Sequence, residues 1–250
     1  MNFKLISVFI FSVFIFSQPV SADVVRVAVA ANFSAPMKAL VKEFRQQTGH
    51  RVQPVFGSSG KLYAQIMNGA PYQVFLSADT AKPDKLIQQA RADSSTRFTY
   101  ARGALVLWSA DESQAQIEPG LIRKAAFRHL ALANARLAPY GRAAKEALRN
   151  LELWEPLKSK VVTGENISQT YQFVASGNAE FGFIALSQVA EKGRIKKGSG
   201  WIVPQDYHTP ILQDAVLLNR GKHNPAALAL IDFLQSESAK DLIESYGYLM

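Results

Sequence analysis

Between an apolar run and a helical one stands Val55-Phe56-Gly57-Ser58-Ser59-Gly60-Lys61-Leu62, with two glycines, two hydroxyls and a lysine. Such residues could cradle a phosphate, supply a nucleophile or hold a simpler anion. A nucleotide-phosphate loop needs four residues between its glycines and Ser or Thr after the lysine. Here two residues separate Gly57 from Gly60, and Leu62 follows Lys61, so the nucleotide reading fails. A serine nucleophile needs G-x-S-x-G at a strand-to-helix elbow, with a histidine and an acid to activate it. Gly60 directly after Ser59 breaks that spacing, and His50, His129, His208 and His223 stand in no triad context. Metal chemistry is equally unsupported: there is no cysteine, no histidine pair at helical spacing and no acidic calcium-type loop. Asp79, Glu165 and Asp214 read as carboxylates that cap or hydrogen-bond turns. What remains is a site where uncharged hydroxyl and amide dipoles hold a deprotonated oxyanion in a dry cleft.

The elements that would position such a site alternate, apolar run then helical stripe, as in an α/β chain. Val24 to Ala30 reads as a buried strand. A helix follows with Ser34 as its N-cap, Met37, Leu40, Val41 and Phe44 as its stripe, and Gly49 as its stop. Val52 to Phe56 is the next strand, the serine loop comes after it, and Leu62, Tyr63, Ile66 and Met67 make a second stripe. Val74 to Leu76 is a third strand, and Pro83 opens the helix carrying Leu86 and Ile87. The pattern restarts at Ala104 to Trp108. Leu130 to Ala133 leads into Ala138-Pro139-Tyr140-Gly141 and a helix, and Val161-Val162 leads into Gly164 to Ser168 and a helix that halts at Gly177. Phe181 to Ala185 reads as the last strand of this half. Ile211 to Leu218 reads as a strand returning to the first half, where helices over 226–235 and 238–246 pack.

Four strand-to-helix turns thus carry small or hydroxyl residues: around Asn32, Ser58-Ser59, Tyr140-Gly141 and Ile167-Ser168, two from each half. Ligands of open parallel sheets sit beyond the carboxyl ends of the strands, where such turns gather. Each turn also exposes the free N–H groups and partial positive charge of a helix start. Four of them facing one cleft would make a cage of donors for an anion.

Bulk properties agree. The first residues carry Lys4, an apolar run from Leu5 to Phe16, a break at Gln18-Pro19 and the small residues Val20-Ser21-Ala22. That is the grammar of a cleavable secretory signal over 1–22, and the run is shorter than the ~20 residues that cross a bilayer. The mature chain should start near Asp23, exported and soluble, with no lipid-attachment cysteine and no disulfide. The chain of 250 residues has a formal net charge of +8, but its basic residues are scattered apart from a cluster over 192–197. No nucleic-acid stripe is drawn, and the excess would raise the local concentration of small anions.

Several blocks look familiar together: Ala30 to Ser34, Phe56 to Ile66, Asn68 to Asp79, Ala138 to Ala144, Gly164 to Thr170 and Ser176 to Gly182. In this order, across essentially the whole mature chain, they resemble the periplasmic molybdate-binding proteins of ABC transporters. The resemblance implies a type II periplasmic-binding fold: an α/β protein of two lobes, each a mixed, mostly parallel sheet flanked by helices. A two-strand hinge would join the lobes, with the ligand cleft between them. The first lobe would span 23–102, with 214–250 returning to it, and the second 103–213. Carried over by position, Asn32 and Ser59 would donate from the first lobe, and Tyr140 and the backbone of Ile167 from the second. Ala31, Ser58, Ser34 and Ala185 are accessory positions. Ser34 suits an N-cap better than a ligand, and Ser58 could serve only its turn. Asn32 stands where many relatives have serine, and Tyr140 where some have an alanine that uses only its N–H. Ala185 stands where some supply a tyrosine hydroxyl. Lys61 should point to solvent or the lobe surface, and Phe56, Tyr63 and Tyr72 should pack. The implied protein is not an enzyme and has no cofactor and no metal held by protein ligands. Its cargo is molybdate or tungstate, its partner an inner-membrane ABC permease, and it acts as a monomer. A receptor for sulfate or phosphate, a secreted serine hydrolase and a periplasmic sensor are the alternatives.

Overall fold

A computed structural model describes residues 22–113, 117–124, 126–191 and 193–250, so the leader read over 1–22 lies, but for its last residue, outside the described residues. β1 (Val24–Ala30) is buried on both faces from Val27 onward, as a central strand between two helical layers must be. The chain then makes a short 3₁₀ turn, Ala31–Phe33, and enters α1 (Ser34–Thr48), which buries Met37, Leu40 and Phe44. Gly49 ends it at φ 76°, a left-handed conformation that glycine adopts without penalty. Next come β2 (Arg51–Gly57), α2 (Ser59–Met67), β3 (Val74–Leu76), α3 (Ala81–Gln88) and β4 (Phe98–Gly103). Helix α3 begins two residues before the expected Pro83, which sits within its first turn, where a missing N–H costs nothing.

β5 (Leu105–Ser109) opens the second unit, followed by α4 (Pro119–Lys124), β6 (Leu130–Ala133), α5 (Pro139–Asn150), α6 (Trp154–Leu157), β7 (Val161–Gly164), α7 (Ile167–Ala175) and β8 (Phe181–Ala185). The short strands β9 (Ala190–Glu191) and β10 (Arg194–Ile195) pair with each other. β11 (Ser199–Ile202) and β12 (Ile211–Leu217) precede the terminal helices α8 (Pro225–Phe233) and α9 (Glu237–Ser245).

Among the described residues these strands form two five-stranded sheets, ordered β2-β1-β3-β12-β4 and β11-β5-β8-β6-β7. β1 runs parallel to β2 and β3, and β6 runs parallel to β7 and β8. The antiparallel pairs come from the strands nearest the crossings: β12 against β3 and β4, and β5 against β8 and β11. The chain leaves the first sheet at Gly103 and enters the second at Leu105; it returns between β11 and β12, where Ile211 pairs with Gly103. Separate apolar cores fill each unit. Val27, Phe33, Leu40 and Phe44 pack with α8 and α9 residues such as Leu230 and Ile243, while Leu105, Leu130, Leu148 and Phe183 gather under α5. The strand Phe181 to Ala185 is not the last of the second half, because β11 adds an edge to β5. Only the short run Trp201-Ile202-Val203 announces β11, and Gly200 before it packs close against Val106 and Leu107. No described helix is long and apolar enough to cross a membrane.

Candidate functional site

The four turns singled out from sequence meet. One cavity is lined by Ala31 and Asn32 after β1, Ser58 and Ser59 after β2, Pro139 and Tyr140 after β6, and Asn166 and Ile167 after β7. The cavity has room for a guest of only a few atoms and excludes a nucleotide. No lysine, arginine or carboxylate lines it.

The turn after β2 supplies two hydroxyls with different fates. Ser59 Oγ accepts the Ala78 N–H at 2.9 Å, which fixes its rotamer and leaves its own proton to be donated. Ser58 occupies the N-cap of α2 with extended backbone, yet its side chain makes no capping bond. Its Oγ is buried without a partner, and such an orphan hydroxyl is costly unless something binds it. Ser58 Oγ thus makes no bond within its own turn. Neither serine touches a histidine or carboxylate. His50 Nδ1 takes the Asp23 N–H at 3.2 Å and His208 Nδ1 lies 2.9 Å from Thr209 O, so both are structural.

In the turn after β7, Asn166 caps α7, its Oδ1 accepting Ser168 N–H at 2.9 Å and Gln169 N–H at 3.1 Å. Thr170 N–H returns to Asn166 O at 3.1 Å. Ile167 thus keeps the one first-turn N–H that neither cap nor helix consumes, in a residue that lines the cavity. In the turn after β6, Pro139 occupies the first helical position and Arg142 N–H is taken by Ala138 O at 3.1 Å. The Tyr140 and Gly141 N–H groups precede that first bond and have no helical acceptor.

Two expected side-chain donors are engaged elsewhere. Asn32 Nδ2 donates to Gln213 Oε1 at 2.8 Å and to Tyr248 OH at 2.9 Å, so both amide protons are committed, although Asn32 lines the cavity. The Tyr140 hydroxyl reaches β12, where Gln213 Nε2 donates to it at 3.4 Å. A Cβ at Gly103 would lie 2.0 Å from that oxygen, so the glycine makes its berth. Burial pushes the Tyr140 and Tyr100 phenols well above their ordinary range and Tyr248 up to about 12, which keeps all three protonated. Ser34 is the first residue of α1, not its N-cap; Phe33 holds that place with no side-chain cap, and Ser34 does not line the cavity. Ala185 lies outside the lining too. Its N–H goes to Gln188 Oε1 at 2.9 Å, and Gln188 Nε2 steadies Ile167 O at 3.1 Å. Sequence reasoning missed this supporting layer of Tyr100, Ser187, Gln213 and Tyr248 because its members lie up to 216 positions from Asn32. No local spacing marks them.

The carboxylates and the lysine have structural partners. Asp79 accepts Ser77 Oγ at 3.0 Å and Lys82 Nζ at 2.5 Å, and buried Asp214 takes Arg97 Nε at 2.6 Å and Thr99 Oγ1 at 2.7 Å. Lys61 does not simply face solvent: it bridges the cleft to Glu165 Oε1 at 2.5 Å. Beside it, Gly60 N–H donates to Leu137 O at 2.8 Å, and a Cβ on Gly60 would meet that oxygen at 2.9 Å.

Comparison with known proteins shows the family. The model of the bacterial extracellular solute-binding protein family matches residues 25–249. The molybdate-binding protein ModA of Azotobacter vinelandii is 52% identical over 224 residues, 90% of this chain and 89% of that protein. ModA of Rhodobacter capsulatus is 47% identical over 231 residues, 92% and 90% of the two chains. Among solved structures, the Azotobacter vinelandii periplasmic molybdate-binding protein superposes with a TM-score of 0.86 at 38% identity, covering 90% of this chain and 99% of that one. From its first strand to its C-terminal tail, the chain belongs to the bacterial extracellular solute-binding protein family.

Proposed function

We propose that this protein is a periplasmic receptor that captures molybdate, and tungstate with it, and delivers it to an inner-membrane ABC permease. The observation that carries this reading is the convergence of four helix starts on one small cavity with no charged side chain in its lining. Oriented dipoles stabilise a dianion there because water is excluded and the donors need no reorganisation. The donor set is the Ser58 and Ser59 hydroxyls with the Asn32, Tyr140 and Ile167 N–H groups; Ala31 shapes the wall. No carboxylate stands ready to accept the proton of a hydrogen phosphate, which disfavours that ion. Sulfate shares charge and shape with molybdate, so selection between them rests on cage size.

The lobes act as rigid halves, 23–102 with 214–250 against 103–213, and the closed form is what the permease reads. The receptor performs no chemistry on its cargo and works as a monomer, exported by the leader over 1–22. Thermal stabilisation of the mature chain across molybdate, tungstate, sulfate and phosphate tests the reading. At a thousandfold excess over its dissociation constant the cargo should stabilise by ~4 kcal/mol. A response to sulfate with none to molybdate would replace the cargo, and no response to any oxyanion would end the proposal.

A further inference from the structure

Beneath the Asn32 turn, three residues close a hydrogen-bonded ring that spans both sheets. Asn32 Nδ2 donates to Tyr248 OH at 2.9 Å, Tyr248 OH lies 3.0 Å from Ser187 Oγ, and Ser187 Oγ donates to Asn32 O at 3.0 Å. The Tyr248 hydroxyl lies 3.0 Å from Asn32 O as well, so its one proton is shared between Ser187 Oγ and that carbonyl, and the phenol oxygen stands within hydrogen-bond reach of both partners. All three residues are buried, at 2%, 3% and 5% exposure. Tyr248 belongs with the first unit, its ring edge-on to Phe33 at 5.4 Å between centroids. The neighbouring Leu249 exchanges backbone bonds with Arg102 on β4, at 2.7 and 3.0 Å, so the tail adds a bridge beside the two hinge strands. Ser187 follows β8 in the second unit. The ring therefore closes only when the end of β8 meets the start of α1.

We propose that Tyr248 is a positioning residue for cargo retention, a tail-borne latch that fastens the cavity-lining Asn32 turn to Ser187 when the lobes close. It does not touch the oxyanion. It acts through Asn32, and this role rests on the receptor reading given above. Removing the phenol oxygen leaves one Asn32 amide proton without an acceptor and Ser187 with only its bond to Asn32 O in the closed form, whereas in an opened form water serves both. The latch thus stabilises closure and slows release, while capture by the open form is left alone.

The test is stopped-flow binding and release of molybdate by the mature chain and its Tyr248→Phe, Ser187→Ala and double variants. Tyr248→Phe keeps the ring against Phe33, so folding is preserved, and ligand-free melting serves as the control. Release should quicken about fivefold to tenfold in either single variant, the worth of one buried hydrogen bond. The association rate should change by less than about twofold, and the double variant should resemble the singles instead of multiplying them. Parental release rates, or multiplicative effects in the double variant, would overturn the latch. Failure of the parent chain to bind molybdate would overturn the receptor reading alone. The latch is then read by small-angle scattering of the ligand-free chain, where Tyr248→Phe should enlarge the radius of gyration and equal radii would refute it.

Discussion

Ser58 and Ser59 are adjacent hydroxyls of one loop, yet the fold treats them in opposite ways. Ser59 is tied to the Ala78 N–H, whereas Ser58 Oγ is buried with no partner. Their alanine variants should separate accordingly. Ser58→Ala removes an unsatisfied group, so ligand-free stability in urea should hold within about 0.5 kcal/mol while oxyanion affinity by calorimetry falls by about 1–3 kcal/mol. Ser59→Ala strands the Ala78 N–H as well, so stability and affinity should both drop by about 1–3 kcal/mol. Unchanged calorimetric affinity in either variant would remove that serine from the site. The loop was legible in the sequence but not this difference between its serines, because Ala78 lies in another turn and its N–H is invisible to local pattern.

At the scale of elements, four helix starts make the cavity and each frees its donors by a different device. α7 uses Asn166 to consume the N–H groups it does not offer, α5 uses Pro139, which has none, and α2 leaves its N-cap side chain idle. The β1–α1 turn inserts a short 3₁₀ turn, which is why Ser34 lands inside the helix and not at its cap. The end of β4 depends on Gly103, whose missing side chain makes room for the Tyr140 hydroxyl. Gly103→Ala should therefore displace α5, destabilising the chain by about 1–3 kcal/mol as overpacking does. It should also weaken binding, checked by urea unfolding and calorimetry together; full retention of both would mean that the tyrosine relocates freely. Strands with continuous apolar runs, such as Leu130 to Ala133 and Phe181 to Ala185, were legible with correct bounds. β4 was not, because Phe98-Thr99-Tyr100-Ala101-Arg102-Gly103 mixes polar and apolar residues at a sheet edge.

For the whole molecule, closure combines the shielded Asn32 ring with the exposed Lys61–Glu165 pair, whose side chains are 51% and 47% accessible. Solvent screening makes the pair worth less than about 1 kcal/mol. Lys61→Ala should accordingly cost less than about fivefold in affinity, with the difference vanishing at high salt. A larger, salt-independent loss would promote Lys61 to the site. The buried phenols set the alkaline limit. Their folded pKa values are raised, with Tyr248 at about 12, so below pH ~10 both folded and unfolded forms keep the proton and stability is complete. As pH climbs from ~10 toward 12 the unfolded chain ionises first and stability is lost. Urea midpoints between pH 8 and 11 should fall with this sign, and Tyr248→Phe should flatten the slope.

The sequence by itself determined the α/β alternation, the four turns and the uncharged chemistry of the site, because apolar period and turn residues are local properties of the chain. Tertiary structure alone decided which donors are free. A donor's availability depends on what else has claimed it, and for the Asn32 amide the claimants are Gln213 and Tyr248, brought to it only when β12 inserts between β3 and β4 and the C-terminal tail folds back beside β4.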